Sequence, residues 1–578
     1  VFRRLFKQHS IVRSPGEIEA DFLDESVEEY TISQDAFLKI HGSPLTYWYS
    51  THALKSLAGP SVTRIATPMI GIQSGDNLRF YRLWWEADFN GIDFEVSSLS
   101  DLSSRKAWVP LQRGGDARKW YGNNEYIVNL SNAGEDILAT TNGSLRNSNH
   151  YFKECVSWNR LSNGRFFVRF VSKGFAFDDV SPFAVAEGAT SAMETLSLLG
   201  SKPGSFFVKA FSTGYKIEVG HVGAIPLPGQ PIAKDLLPLM ELIVGIARTD
   251  WDNFEASWDF RGQPLLSPGL NASTLKTSWR DWETRCTATI RRMQELEMEN
   301  NQFFIASYGL DRDLQPEVPE EQITLARADP RKDIAAFLSY ATGCMMGRYS
   351  LDHPGLILAN AGDTLENYIA KVGKSTGDLS FQPDPDGIIP VLDGEWFEDD
   401  IVARTREFLA VTFPESTVGE NLRFIEESLG KDVRKYFCSE FYKDHLQTYK
   451  KRPIYWMVQS PKKGFACLIY LHRYTKDTLN QVLNNYFRPY LQKLEARLAQ
   501  LGLDQLNDDL PTRDRTAARK EADKITKVLK ECQAWEQDAL LPLAQQRIEL
   551  DLDDGVKVNY LKLQDVLAPI PGLAAKED

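Results

Sequence analysis

The chain lacks paired cysteines. Its six, Cys155, Cys286, Cys344, Cys438, Cys467 and Cys532, stand singly with no CxxC among them. That spacing supports neither a structural zinc site nor a disulfide framework, so reduced thiols are expected. Neither GxxxxGK[ST] nor GxGxxG occurs, which leaves no phosphate-cradling loop of a recognised type. HExxH and an EF-hand loop are missing as well. Methyl transfer to a base amino group would call for a glycine loop after a first strand and an Asn/Asp-Pro-Pro-aromatic element. "DPDG" at Asp384–Gly387 lacks the second proline and the aromatic. The eight histidines are isolated from one another, and His445 and His472 read as satisfied core or surface groups. The acidic pair Asp399 and Asp400 reads as charge at a helix start. No signal peptide and no bilayer-spanning apolar run is seen, so a cytoplasmic protein with no membrane partner is expected. No catalytic, cofactor-binding or metal-binding residue is assigned, and no metal is expected.

What is present describes a folded protein. At 578 residues, with 43% hydrophobic and 25% charged content, the chain has material for about three or four domains of ordinary size. It opens on Val1, and "VFRRLFKQHS" has the apolar–basic pattern of a helix interior. The expectation is a piece cut from a larger polypeptide. The formal net charge is −13, yet Arg105–Lys173 holds eleven Lys/Arg against five Asp/Glu, a local balance of +6. A local field of that sign is where a polyanion would dock.

Periodicity gives an α+β class. Residues 1–60 mix helical and turn signals and read as the tail of a preceding domain. Residues 61–231 are rich in glycine, proline and aromatics, and "GRFFVRFVSKGFAF" (Gly164–Phe177), "FFVKAFS" and "KIEVGHVGAIPLP" read as strands of period two. Residues 232–310 read as a helical spacer, 311–450 as a mixed region, and 451–578 as a mainly helical domain. In the last of these, Ile525, Val528, Leu529 and Cys532 mark one helix face, and "NDDLPTRDRT" separates two long helices.

Two stretches stand out against the acidic background. "WVPLQRGGDARKWYGNN" (Trp108–Asn124) places Arg113, Arg118 and Lys119 in a glycine-broken loop with Trp120, Tyr121, Asn123 and Asn124. "GIQSGDNLRFYRLWWE" (Gly71–Glu86) repeats the theme with Arg79 and Arg82. Arginine offers a planar fork to phosphate or guanine, asparagine can pair with adenine, and glycine lets backbone approach a ligand. The same composition also fits aromatics in a core with arginines on a solvated face.

These stretches, followed by "VSWNRLSNGRFFVRFVSKGFAFDDVSP", resemble the target-recognition part of the PglX family, the adenine-specific DNA methyltransferases of BREX phage-defence systems. The likeness continues in order through "YKIEVGHVGAIPLP", "DWDNFEASWDF", "FLSYATGCMMGRYSLDHPGLI", "KRPIYWMVQSPKKGFACLIYLHRY" and "LDDGVKVNY". It implies methylation of one adenine in a short, non-palindromic site of double-stranded DNA, with S-adenosylmethionine bound by a domain upstream of this chain. The adenine must be lifted from the duplex before the transfer. The resemblance further implies that Arg79, Arg82, Arg113, Arg118, Lys119, Asn123, Asn124 and Arg160 meet DNA. Arg118 and Lys119 would contact phosphates, while Arg113, Asn123, Asn124 or Arg160 would read base edges. Trp120 has a second reading as a core anchor. Lys450, Lys451, Arg452, Lys462 and Lys463 form a second basic cluster that would meet either the DNA backbone or solvent. Other BREX proteins and phage DNA mimics are further expected partners. The alternative is an assembly module of the defence complex whose DNA contact is incidental.

Overall fold

The computed structural model describes residues 2–3, 5, 13–24, 26–27, 29–38, 40, 42–102, 108–162, 165–212, 214–232, 235–270 and 272–573. Arg105 and Lys106, which begin the basic stretch, lie outside the described residues. The class is α+β, and the chain divides into two units. The first holds Val1–Tyr81, Gly91–Trp251 and Arg285–Arg327; the second holds Arg82–Asn90, Asp252–Thr284 and Ala328–Asp578.

The first unit is built on two small sheets. Strands β1 (Ala66–Met69), β2 (Trp108–Gln112), β3 (Tyr126–Asn129), β4 (Cys155–Trp158), β5 (Val168–Val171), β6 (Ala176–Phe177) and β7 (Phe183–Ala186) supply them. One sheet runs β5-β4-β7-β1, antiparallel throughout; in the other β2 lies between β6, parallel, and β3, antiparallel. Strands β2, β4 and β5 are buried along their whole length, so their alternation is muted in the sequence. Helices α1 (Ala192–Leu199), α2 (Lys202–Phe211), α3 (Leu236–Asp252) and the part of the 34-residue α4 (Leu275–Tyr308) from Arg285 onward complete the framework. One apolar core joins sheet and helices through Trp120, Trp158, Leu198, Phe207, Met240 and Met293.

"FFVKAFS" is not a strand but the second half of α2. Ser201 accepts the Gly204 N–H at the N-terminus, Pro203 sits in the first turn, and Phe207 and Val208 are buried one turn beyond Pro203 and Gly204. The cap and the 3.6-residue period override the β-branched and aromatic content. Within "KIEVGHVGAIPLP", Val219–Gly223 is likewise a short helical turn.

In the second unit, α5 (Pro330–Met346), α6 (Ile401–Thr412), α7 (Val418–Leu429) and α8 (Tyr442–Thr448) precede a hairpin of β9 (Tyr455–Gln459) and β10 (Ala466–Tyr470), with β8 (Ile388–Pro390) on the far side of β10. Helix α5 is punctuated plainly: the Asp329 side chain caps the Lys332 N–H, Pro330 starts it, and Gly347 ends it at φ +81°. Asp400 caps α6 by accepting the Val402 and Ala403 N–H groups. A long helical hairpin, α9 (Arg488–Leu506) and α10 (Thr512–Trp535), is clipped by Arg497 to Glu521 at 2.8 and 3.0 Å. The chain then runs to α11 (Gly555–Leu563).

The segment Arg82–Asn90 lies inside the stretch expected as a recognition domain, yet it packs in the second unit. The Trp84 indole donates to the Ala256 carbonyl (2.9 Å), and that of Trp85 to the Arg452 carbonyl (3.0 Å). Both rings are about 1% exposed.

Candidate nucleic-acid interface

The loop after β2 is wound rather than loose. Gly114, Gly115, Trp120, Gly122 and Asn123 all have positive φ. Trp120 enters the sheet edge: its N–H donates to the Val168 carbonyl (2.8 Å) and its carbonyl accepts from Phe170 N (2.9 Å). Its indole is 1% exposed and donates to Glu297 at 2.7 Å. Trp120 therefore is a core anchor.

The cations beside it are turned to internal acids. Arg118 pairs with Asp250 and stacks over the Trp251 ring at 5.0 Å. Lys119 reaches Glu297 at 2.6 Å, with the two side chains 13% and 3% exposed. Arg113 lies 3.6 Å from Asp178 and over the Tyr81 ring at 4.7 Å. Burial pushes the Asp178 carboxyl up to about 6, with Arg113 pulling it the other way; burial also raises Asp250. Asn123 is buried and donates to the Asp116 carbonyl at 2.9 Å, which closes the loop. Asn124 is buried as well, and Asp116 sits on the exposed tip. Arg118 and Lys119 are thus each held to an acid of the fold rather than free. A buried carboxylate is far costlier unpaired than paired, so these arginine and lysine groups stay where their acids are.

Two of the other candidates divide between the units. Arg79 is 57% exposed at its side chain and pairs with Asp136 at 3.6 Å. Arg82 is 8% exposed and donates to the carbonyls of Asp553 and Asp554 (3.0 and 3.1 Å), both in the second unit with it. A Cβ at Gly555 would come within 2.5 Å of the Arg82 Nε. That close approach explains the glycine of "LDDGVKVNY" and makes Arg82 a clamp. The second basic cluster does not stay together either. Lys450–Arg452 precede β9 and Lys462–Lys463 follow it, separated by a five-residue strand, about 16 Å of extended chain. Arg452 is drawn in toward the buried Glu86 at 3.5 Å.

A basic surface of the first unit lies at an edge where the sequence reading had singled out only Arg160. Beyond β4, the chain pairs with the segment around Tyr215: Leu161 bridges Lys216, Ser162 N–H donates to the Tyr215 carbonyl, and Ile217 N–H to the Arg160 carbonyl, both at 2.8 Å. Leu161 and Tyr215 are 61% and 62% exposed. Arg165 and Lys216 are exposed beside them, and no described carboxylate pairs with either. Arg160 is held by Glu218 at 2.9 Å and remains 30% exposed. Asn163, Gly164 and Thr213 lie outside the described residues. The wound loop supports this edge from behind. Fully buried Arg169 on β5 donates to Asn159 Oδ1 (2.7 Å) and to the Arg118 carbonyl (3.3 Å), and Asn159 donates to the Gly115 carbonyl (2.9 Å). Exposed leucine and tyrosine among cations was the available signal, but "RLSNGR" and "GYK" are too short to stand out by composition.

Asn123 packs so closely on the loop after β2 that its Cγ would lie 2.7 Å from a Cβ on Gly115. Among the described residues no cluster of three or more His, Cys, Asp or Glu could hold a metal ion, and no helix is long and apolar enough to cross a membrane.

No family model matches the chain. It is 34% identical over 567 residues to a protein of Lacticaseibacillus casei (strain Zhang) named adenine-specific methyltransferase PglX, a match to 94% of this chain and 46% of that protein. It is 32% identical over 572 residues to adenine-specific methyltransferase BrxX of Escherichia coli O9:H4 (strain HS), covering 93% of this chain and 46% of that one. The chain thus spans about half the length of the curated relatives it matches.

Proposed function

From the premise that the chain is PglX-like, we propose that it is the sequence-recognising part of an adenine-N6 DNA methyltransferase in a BREX phage-defence system. On this reading it marks host DNA at a short, non-palindromic site in the cytoplasm. S-adenosylmethionine and the transfer itself belong, on this reading, to a part of the protein outside these residues. Duplex DNA meets the first unit at the edge carrying Arg165, Lys216, Leu161 and Tyr215.

The observation that carries this reading is two large apolar side chains, each more than 60% exposed, set beside Arg165 and Lys216, which no described acid neutralises. Cations there would hold phosphates, and a leucine or tyrosine is the kind of side chain that wedges into a base step. Unstacking of that sort prepares an adenine to leave the helix. Arg160 and Arg79 are partly exposed and would exchange their weak surface pairing for phosphate at little cost, whereas Arg113 is held by the buried Asp178. Acidic phage proteins that mimic DNA would compete for the same edge.

The test is fluorescence anisotropy with labelled duplex across a salt series. Arg165→Ala with Lys216→Ala should lower affinity for every sequence and reduce the salt slope by about two, one per lost phosphate contact. An unchanged slope would remove this edge from the interface. A second reading, docking to other proteins of the defence complex, draws on Leu503 and Leu506 at the end of α9, which are 65% and 81% exposed. Substituting both with serine should then release the partner while leaving DNA affinity intact.

A further inference from the structure

In the second unit, α10 carries a cationic outer face. Ala518, Ala522, Ile525, Leu529 and Trp535 turn one side of this helix into the core. On the exposed side, Arg513, Lys520, Lys524 and Lys527 fall within about 60° of one another around the helix axis. Arg519 and Lys530, also exposed, flank that stripe. Among the described residues a carboxylate pairs with only one of the six: Lys524 meets Asp393 at 2.7 Å, and both of those side chains are open to solvent. Asp514 and Asp523 are the exposed acids of the helix. Glu521 is held by Arg497 on α9.

Glu531 brings a second element to the same face. Its carboxylate accepts the Lys462 N–H at 2.9 Å and the Ser460 hydroxyl at 3.1 Å, which seats the turn between β9 and β10 one helical turn beyond Lys527. The turn closes on itself through the Lys463 N–H and the Ser460 carbonyl at 2.9 Å, with Lys463 at φ +62°. Glu531 thus engages backbone and hydroxyl donors, and the ammonium groups of Lys462 and Lys463 stay exposed with no described carboxylate on them. Half of the second basic cluster therefore joins the stripe on α10 instead of Lys450–Arg452. From Arg513 to Glu531 the face runs about 27 Å, the rise of about eight base pairs of duplex.

We propose that this face, α10 with the Lys462–Lys463 turn, is a second DNA-binding surface that grips the phosphate backbone without reading sequence. It rests on the DNA-binding reading above and adds to it a surface in the other unit. A row of cations matched in length to several phosphates is what counter-ion release rewards. Lysine-rich surface without aromatics is poor material for a protein interface. Helices that lie on membranes bury an apolar face there, whereas that of α10 is already in the core and the helix exposes no large apolar side chain. Base edges are not addressed, because lysine is a point charge on a flexible stem.

Anisotropy of a motif-bearing and a scrambled duplex across a salt series tests this in the whole chain. Lys463→Ala with Lys520→Ala and Lys527→Ala should weaken binding to both duplexes by the same factor and lower the salt slope by about three. Removing the same charge elsewhere in the unit, by Lys332→Ala with Arg423→Ala and Lys443→Ala, should leave the slope within about one of the natural value. An unchanged slope in the first variant, while Arg165→Ala with Lys216→Ala still lowers it, would overturn this inference and leave the reading of the first unit standing. An equal drop in the control variant would also overturn it, as would loss of the preference for the motif. So would lysine-dependent binding to phosphatidylserine vesicles with no such dependence on duplex. A natural chain that binds neither duplex in a salt-dependent way would overturn the inference together with the reading it rests on.

Discussion

Arg118 and Asp250 show how a single side chain can carry a charge that the surface never sees. Both are at most 15% exposed, and Asp250 also accepts the Ala326 N–H at 3.0 Å. Arg118→Ala leaves that carboxylate buried without its counter-ion and should cost about 3 kcal/mol in chemical denaturation. Replacing the pair together, Arg118→Met with Asp250→Asn, should recover most of the loss. If the single variant keeps full stability and loses only DNA affinity, Arg118 is a contact residue after all. Asp178 makes a prediction of defined sign. Burial disfavours its charge and pushes its carboxyl up to about 6, above the ordinary aspartate range near 3.8. The folded state therefore binds that proton more tightly than the unfolded chain, and the stabilisation present at pH 4 is lost as pH rises through 6. Relative to Asp178→Asn, the natural chain should lose stability across that window. A difference that stays flat from pH 4 to pH 7 would show the carboxyl is not displaced. His445 and His472 are pushed down to about 3 by burial, so both are neutral at physiological pH, in keeping with core residues.

At the scale of elements, what could be read from the sequence was whatever local chemistry decides. Asp329-Pro330 at one end of α5 and Gly347 at the other state its limits outright, and Asp400 announces α6 as the acidic pair suggested. Removing that cap by Asp400→Ala should lower stability by about 1–2 kcal/mol, and more because Arg434 also pairs with it at 2.7 Å; an unchanged melting curve would contradict the cap. The hairpin of α9 and α10, broken at "NDDLPTRDRT", was legible for the same reason. Helix α2 was not, because Phe206, Phe207 and Val208 look like a strand until Ser201 is recognised as a cap. The pairing of the candidate cations was hidden for a different reason. Arg118, Lys119 and Arg82 advertise charge, but nothing local says that Asp250, Glu297 and the carbonyls of Asp553 and Asp554 will meet them from 132, 178 and more than 470 residues away. Exposure is a tertiary property, so Arg165 and Lys216 emerged only from the structure.

For the whole molecule, a net charge of −13 and a DNA-binding role are compatible because the neutralising acids are distributed unequally. Acids saturate the conspicuous basic loop and leave a smaller cationic edge free. That edge predicts an affinity governed by few phosphate contacts, and so a salt dependence shallower than eleven local cations would suggest. The most direct measurement titrates the chain against two duplexes at increasing salt, one carrying the adenine motif mapped as methylated in the host genome and one scrambled. The account predicts tighter binding to the first, weakening with salt along a slope that Arg165→Ala with Lys216→Ala reduces by about two. Equal, feeble binding to both duplexes, with no response to those substitutions, would contradict it.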